Sequence, residues 1–333
     1  MIKKDKKPRI IVSLTSFPAR IGFVSKVLDT IYCQTMQPDK VILWLAEEQF
    51  PGKERDLSRE LTRLVEKRKL TISWCDDLKP HKKYFFVFQE YQDDLVITID
   101  DDILYPSDLI ETLYQSYLKN PYAVSAMRVH LMLYDKSKGF LPYNKWLCEY
   151  DRCIGKPSFQ LHCTGCGGIL YPVHLFDNKY LDKEAIKENC LYADDIWLKL
   201  MELVNGIPVV LARKHTPLQE IDGSQREGLK YVNYTENDIQ LQKSLKWFES
   251  KCGGDVIKSR LLTIPEEENL LTVSNLAEEN AKRIEYLEQI LEDVAHSPSF
   301  KIGRFITWPG RLVRDVIRGK NRSLFMSDKC NGK

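Results

Sequence analysis

A chain of 333 residues that is 43% hydrophobic, with 16 Tyr, 13 Phe and 6 Trp, can supply a sizeable core, which excludes wholesale disorder. Lys plus Arg number 49 against 47 for Asp plus Glu, and this net +2 argues against bulk nucleic acid as the main partner. No run of about 18 apolar residues exists, so no transmembrane helix is expected; Ile10 to Leu14, behind the basic Met1 to Arg9, is too short for a signal-peptide core, and a cytoplasmic chain is expected.

The first predicted element is a strand over the β-branched run Ile10-Ile11-Val12-Ser13-Leu14, ending in the polar loop Thr15 to Arg20. A helix follows over Gly22 to Gln34, then a strand over Val41 to Leu45. Arg55 to Arg68 is amphipathic and reads as a helix, Leu70 to Trp74 as a third strand, Tyr84 to Tyr91 as a helix and Leu95 to Ile99 as a fourth strand. Pro208 to Ala212 is a further strand candidate. Strands alternating with helices of this length predict a mostly parallel, doubly wound α/β sheet. We expect this globular body to occupy residues 1–255.

The balanced total charge hides two opposed segments. Residues 266–293 hold nine acids and two bases, a net −7; residues 297–333 hold nine bases and two acids, a net +7. Within 256–296, Leu270, Val273, Ala277, Asn280, Ile284, Leu287, Leu291 and Val294 follow 3-4 spacing. That is the seam of a possible coiled coil, through which the chain would self-associate; a single helix docked on the body fits the spacing equally. In 297–333, Pro309 stands where a helix can start; Leu312, Val313, Val316 and Ile317 then share one face, with Arg311, Arg314 and Arg318 on the other. This is the pattern of an amphipathic helix lying on an anionic membrane surface.

The nine cysteines are odd in number and scattered, which does not make a secreted disulfide framework. Cys163-Thr-Gly-Cys166 has the spacing of half a zinc site, but the apolar, glycine-rich residues after it favour a buried turn with core cysteines.

Chemistry concentrates where the fourth strand ends, in Asp100-Asp101-Asp102. Ligands of open α/β sheets bind at the carboxyl ends of strands. Three adjacent carboxylates there raise the folding cost unless a cation neutralises them, and hard oxygen ligands suit Mg²⁺ or Mn²⁺. A second acid pair, Asp194-Asp195, precedes an apolar run that reads as a helix; one Asp can cap that helix while the other faces a cleft as general base. Thr164-Gly165-Cys166-Gly167-Gly168 is a stretch where backbone can approach a ligand closely. His215, after the Pro208 to Ala212 strand, is a candidate third metal ligand. Lys82 and Lys83 are candidates for phosphate contact at a helix start.

This ordered set resembles the nucleotide-sugar-dependent glycosyltransferases of the GT-A fold, in particular bacterial family-2-like enzymes of surface-polysaccharide synthesis. Its carriers are Ser13 to Arg20, Lys79-Pro80-His81-Lys82-Lys83, the Asp-x-Asp motif as Asp100-Asp101-Asp102, the Gly165 to Leu170 loop, Asp194-Asp195-Ile196-Trp197 and His215, over residues 9 to about 220. The acidic segment followed by Ser297-Pro298-Ser299-Phe300 and a basic Trp-Pro stretch looks like the tail of several such transferases. The resemblance implies a Rossmann-like GT-A sheet with flanking helices and a C-terminal helical tail. It implies nucleotide contacts from Thr15, Arg20 and Lys83, and ribose or donor-sugar contacts from Asp100 and Asp101. It also implies a Mn²⁺ or Mg²⁺ ion on Asp102 with Asp100 and His215, and Asp195 as the base. Asp194 stands where the family commonly has Glu, which leaves Asp194 as the other candidate base. The expected activity is metal-dependent, inverting transfer from a nucleotide-sugar, a UDP-sugar in the first instance. The acceptor is a glycan or lipid-linked hydroxyl, reached from the inner face of the cell membrane. Two other readings compete with it. A sugar nucleotidyltransferase usually opens with a glycine-rich phosphate loop, and Thr15 to Arg20 contains no glycine. A non-catalytic coiled-coil scaffold at a membrane has no use for the two acid clusters.

Overall fold

The computed structural model describes residues 7–67, 69–135, 139–224, 230–252 and 255–262. The chain divides into two compact units, Met1–Ile264 and Pro265–Lys333, the second wholly outside the described residues. The expected coiled-coil seam and basic tail therefore lie outside them.

Strands and helices alternate through the first half. β1 (Ile10–Thr15) leads through a short 3₁₀ turn to α1 (Val24–Tyr32), then β2 (Lys40–Ala46), α2 (Arg59–Glu66), β3 (Thr71–Cys75), α3 (Lys82–Glu90) and β4 (Leu95–Thr98). The second half is more broken: β5 (Ile103–Leu104), α4 (Leu109–Lys119), β6 (Val124–Ala126), β7 (Val129–Leu131), β8 (Tyr134–Asp135), β9 (Gly139–Phe140), β10 (Leu161–Cys163) and β11 (Ile169–Pro172). Then come α5 (Lys183–Asn189), α6 (Asp194–Asn205), β12 (Val209–Leu211), β13 (Gln219–Glu220), α7 (Lys230–Cys252) and α8 (Val256–Leu262). The helix expected over 55–68 is shorter than its apolar period, because the Ser58 side chain accepts from the Leu61 N–H at 3.3 Å and fixes its start.

Seven strands form one sheet in the order β12-β6-β11-β4-β1-β2-β3. β1 is parallel to both β2 and β4, β2 to β3, and β6 to β12; β11 alone runs antiparallel, between β4 and β6. Ile10 through Leu14 are all buried, as a central strand covered on both faces requires. The sheet is mostly parallel and flanked by helices, as expected of a Rossmann-like α/β fold; the antiparallel β11 is the departure from a purely parallel reading.

That departure positions the site. In a parallel pair the carboxyl ends lie side by side, so the loop after β1 meets the acids after β4. An antiparallel strand begins where its neighbour ends: Ile169 of β11 pairs with Thr98, the last residue of β4, and with Ala126, the last of β6. The glycine loop before β11 and the residues just after β6 therefore share one sheet edge with Asp100.

Candidate active site

The loop after β1 carries the first cations and donors. Ser16 Oγ donates to Asp101 Oδ2 at 2.5 Å, and Arg20 spans two acids, Nη1 lying 3.3 Å from Asp101 Oδ1 and Nη2 pairing with Asp102 Oδ2. Thr15 Oγ1 is turned into the sheet instead, donating to the Trp44 carbonyl at 2.8 Å. The three aspartates differ in access: the Asp100 side chain is 29% exposed, against 6% for Asp101 and 8% for Asp102, so Asp100 faces the cleft. Burial raises the Asp101 carboxyl above its usual range, against the pull of Arg20 and the Ser16 hydrogen bond.

Lys83 is the second cation. It opens α3, whose backbone is locked to the sheet: Ser13 Oγ donates to the Lys83 carbonyl at 2.6 Å and accepts from Trp44 Nε1 at 3.0 Å. Its Nζ lies 2.7 Å from Asp100 Oδ1 and 2.9 Å from Asp194 Oδ2, with the side chain only 5% exposed. Burial opposes the ammonium charge, but Asp100, Asp194 and Asp195 outweigh it and hold Lys83 well above its ordinary value. Lys83 thus bridges the two acid clusters rather than standing free at a helix start.

Asp194 and Asp195 form the first turn of α6, and neither side chain caps it. Asp195 turns to the glycine loop, where both carboxylate oxygens accept from the Gly165 N–H at 3.2 and 3.1 Å. Burial, followed by the neighbouring Asp194 charge, pushes Asp195 up to about 8, despite Lys83 and the Gly165 hydrogen bond pulling down. Gly165 is required here. A Cβ on it would sit 2.6 Å from Lys83 Nζ, 3.1 Å from Asp195 Oδ1 and 3.6 Å from Asp100 Oδ1. One missing side chain lets the ammonium, the strand-end acid and the helix-start acid converge.

Arg128 closes the edge on the β6 side, donating to Thr164 Oγ1 at 2.9 Å and to Glu149 at 3.1 and 3.0 Å. Tyr143 completes this wall; burial first, and then the Asp195 charge, raise its phenol above the usual value. His215 sits in this neighbourhood, its Nε2 accepting from the Val129 N–H at 3.2 Å. Cys163 and Cys166 face different neighbours, Glu202 for the first and Thr164 with Arg128 for the second.

Thus Arg20, Lys83, Asp100, Asp101, Asp102, Asp194 and Asp195 gather at one edge, while Thr15 and His215 make backbone contacts beside it. Among the described residues, no group of three or more His, Cys, Asp or Glu side chains is arranged to hold a metal ion. The chemistry of the donor set nevertheless fits a hard divalent ion at Asp100 and Asp102. Both are carboxylates, and the chain's own Lys83 and Arg20 already stand against them as stand-in cations. Sequence reasoning passed over Ser16, Gly165 as a spatial necessity, Arg128 and Tyr143. Arg128 follows a three-residue strand too short to show periodicity, so no sequence signal marked it.

No protein-family model matches the sequence, and no curated protein matches it. Solved structures to which this chain shows similarity include a mannosyltransferase from Pyrobaculum calidifontis in complex with GDP-Man and Mn²⁺. It is 12% identical with a TM-score of 0.45, over 90% of this chain and 83% of that one. S. aureus TarS 1-349 in complex with UDP-GlcNAc is 10% identical, TM-score 0.44, over 73% and 66%. A 4-diphosphocytidyl-2C-methyl-D-erythritol synthase is 12% identical, TM-score 0.38, over 69% and 99%.

Proposed function

We propose that this chain is a glycosyltransferase moving a hexosyl group from a nucleotide-sugar, a UDP-hexose, to a hydroxyl of a glycan or lipid-linked acceptor, with inversion. The observation that carries the reading is the convergence of a strand-end acid cluster and a helix-start acid pair on Lys83 and the bare Gly165 backbone.

Asp195 is the general base. Asp194 is committed to Lys83 at 2.9 Å, whereas the half-buried Asp195 accepts from the Gly165 N–H and pairs with no cation among the described residues. In its ionised form, a carboxyl raised to about 8 takes a hydroxyl proton more readily than an ordinary one. As the acceptor oxygen gives its proton to Asp195, it forms the new bond to the anomeric carbon. The old bond to the diphosphate breaks, and its electron pair leaves with the nucleoside diphosphate. A single base on the face opposite the leaving group yields inversion. Asp100 and Asp102 would hold Mn²⁺ or Mg²⁺, whose charge would offset that developing on the diphosphate. Arg20 is the chain's own donor for the same oxygens, and Ser16 keeps Asp101 oriented.

We further propose that 1–255 is the catalytic body, that 256–296 mediates self-association, and that 297–333 holds the enzyme on the inner face of a bacterial cell membrane. Surface-polysaccharide synthesis accords with such a place. A donor screen for hydrolysis in Mn²⁺ identifies the sugar. Asp102→Asn should abolish sugar transfer, and Asp195→Asn should do so while nucleotide binding survives. Unchanged turnover in a folded Asp102→Asn protein overturns the mechanism.

A further inference from the structure

We propose that Arg20 is a displaceable cation: it occupies Asp102 in the free chain, yields it to the divalent ion, and turns to the nucleotide's diphosphate, so that metal and nucleotide bind cooperatively. The inference rests on the metal reading above and concerns how the site is loaded.

Arg20 sits at the mouth of the edge on a turn whose backbone is fixed. Its N–H and that of Ile21 donate to the Phe17 carbonyl at 2.9 Å, and the Phe23 N–H donates to the Arg20 carbonyl at 2.8 Å. Movement therefore falls to the side chain. The guanidinium spans Asp101 and Asp102, yet its Nε is buried with no hydrogen-bond partner among the described residues. An unsatisfied buried N–H costs free energy, so the present pose leaves part of the fork unused. Asp101 has a second holder in Ser16 Oγ at 2.5 Å and keeps its place when Arg20 leaves.

A divalent ion and a guanidinium compete for the same Asp102 oxygens, and like charges at contact distance repel strongly where water is scarce. Metal alone must evict Arg20 from Asp102 and leave it with Asp101 only, at 3.3 Å, so that half of its fork loses its anion. A diphosphate supplies that anion, with oxygens matched to the planar fork of arginine. Each ligand then makes room for the other, and the coupling is reciprocal.

The test measures Mn²⁺ binding through the electron paramagnetic resonance signal of free Mn²⁺, with and without UDP, on the full chain. Wild type should bind Mn²⁺ about tenfold more tightly with UDP than without, within the usual range of allosteric coupling. Arg20→Met, matched in length but uncharged, should bind Mn²⁺ alone about tenfold more tightly than wild type, with most of the UDP effect gone. The gain should vanish when Asp102→Asn is added. Arg20→Met binding Mn²⁺ alone no more tightly than wild type overturns the proposal. If neither protein binds Mn²⁺ even with UDP, the metal reading itself fails. Should Arg20→Met not fold, Arg20→Lys carries the comparison: it keeps the charge, loses the fork, and must still bind Mn²⁺ alone more tightly than wild type for the proposal to stand.

Discussion

Adding one methyl group at Gly165 tests the geometry of the site directly. The Gly165 backbone is not left-handed, so alanine introduces no conformational strain, and the whole effect comes from what its Cβ meets. Those neighbours are the polar ends of Lys83, Asp195 and Asp100, at 2.6, 3.1 and 3.6 Å. Side-chain ends can retreat, but Lys83 retreats only by stretching its 2.7 and 2.9 Å contacts with Asp100 and Asp194. Overpacking of this kind costs about 1–3 kcal/mol. At roughly 2–4 °C per kcal/mol for a body of this size, Gly165→Ala should melt about 2–12 °C below wild type. Displacing catalytic groups by a fraction of an ångström should lower kcat by about 10- to 100-fold. Gly167→Ala is the contrast: its Cβ would lie 2.5 Å from Arg128 Cβ and 3.0 Å from Arg128 N, atoms that cannot swing away. It should lose more stability than Gly165→Ala. Thermal unfolding and steady-state transfer on both variants read the two effects. A Gly165→Ala protein with wild-type kcat and melting temperature would refute the placement of Lys83 and Asp195 against this backbone.

Asp195, raised in the folded chain from 3.8 to about 8, contributes stability that is full below about 4 and is lost as pH rises through about 8. In chelator, Asp195→Asn should gain on wild type in urea midpoint between pH 5 and pH 8.5; parallel midpoints would refute the shift. His162 works in the opposite sense. Burial pushes it down to about 3; it lies among the rings of Trp146 and Tyr143 at 5.2 and 5.8 Å, and neither ring nitrogen has a hydrogen-bond partner among the described residues. Its contribution is therefore present above about 6.5 and lost as pH falls toward 3, and His162→Phe should flatten the decline between pH 7 and pH 4.5. Deleting residues 297–333 should release the protein from anionic vesicles in a flotation assay while transfer to a soluble acceptor survives; persistent flotation sinks the amphipathic-helix proposal.

The parts of the fold legible in sequence were those with a long local signal. β1 and β4 are β-branched or aliphatic runs buried on both faces, and their ends correctly placed the acids at a sheet edge. β6 and β11 have three and four residues, too few for a period, so the antiparallel insertion that brings Gly165 and Arg128 to Asp100 was invisible. Three clustered carboxylates call for cations, but their sequence does not say which ones. Arg20 and Lys83 are distant in sequence and reach the acids only because β1 pairs with β4 and because α3 is bolted to β1 through Ser13. His215 lies past the end of β12 as expected, where the N–H of Val129, the first residue of β7, donates to its ring.

The two aspartates of α6 show how position alone separates roles in a pair of identical residues. Successive helical residues project about 100° apart, so two adjacent acids at a helix start cannot face the same partner. Asp194 is turned toward Lys83, which ties it to Asp100 and hence to the donor side of the edge. Asp195 is turned toward the Gly165 N–H, at the wall shared with Tyr143. Had either acid capped the helix, one of these links would be lost; Ala193 at the cap position leaves both carboxylates for them. Lys83 then serves as more than a counter-ion. In the reaction proposed above, its hold on Asp194 leaves Asp195 as the carboxylate for an acceptor, and its contact with Asp100 ties the start of α6 to the end of β4.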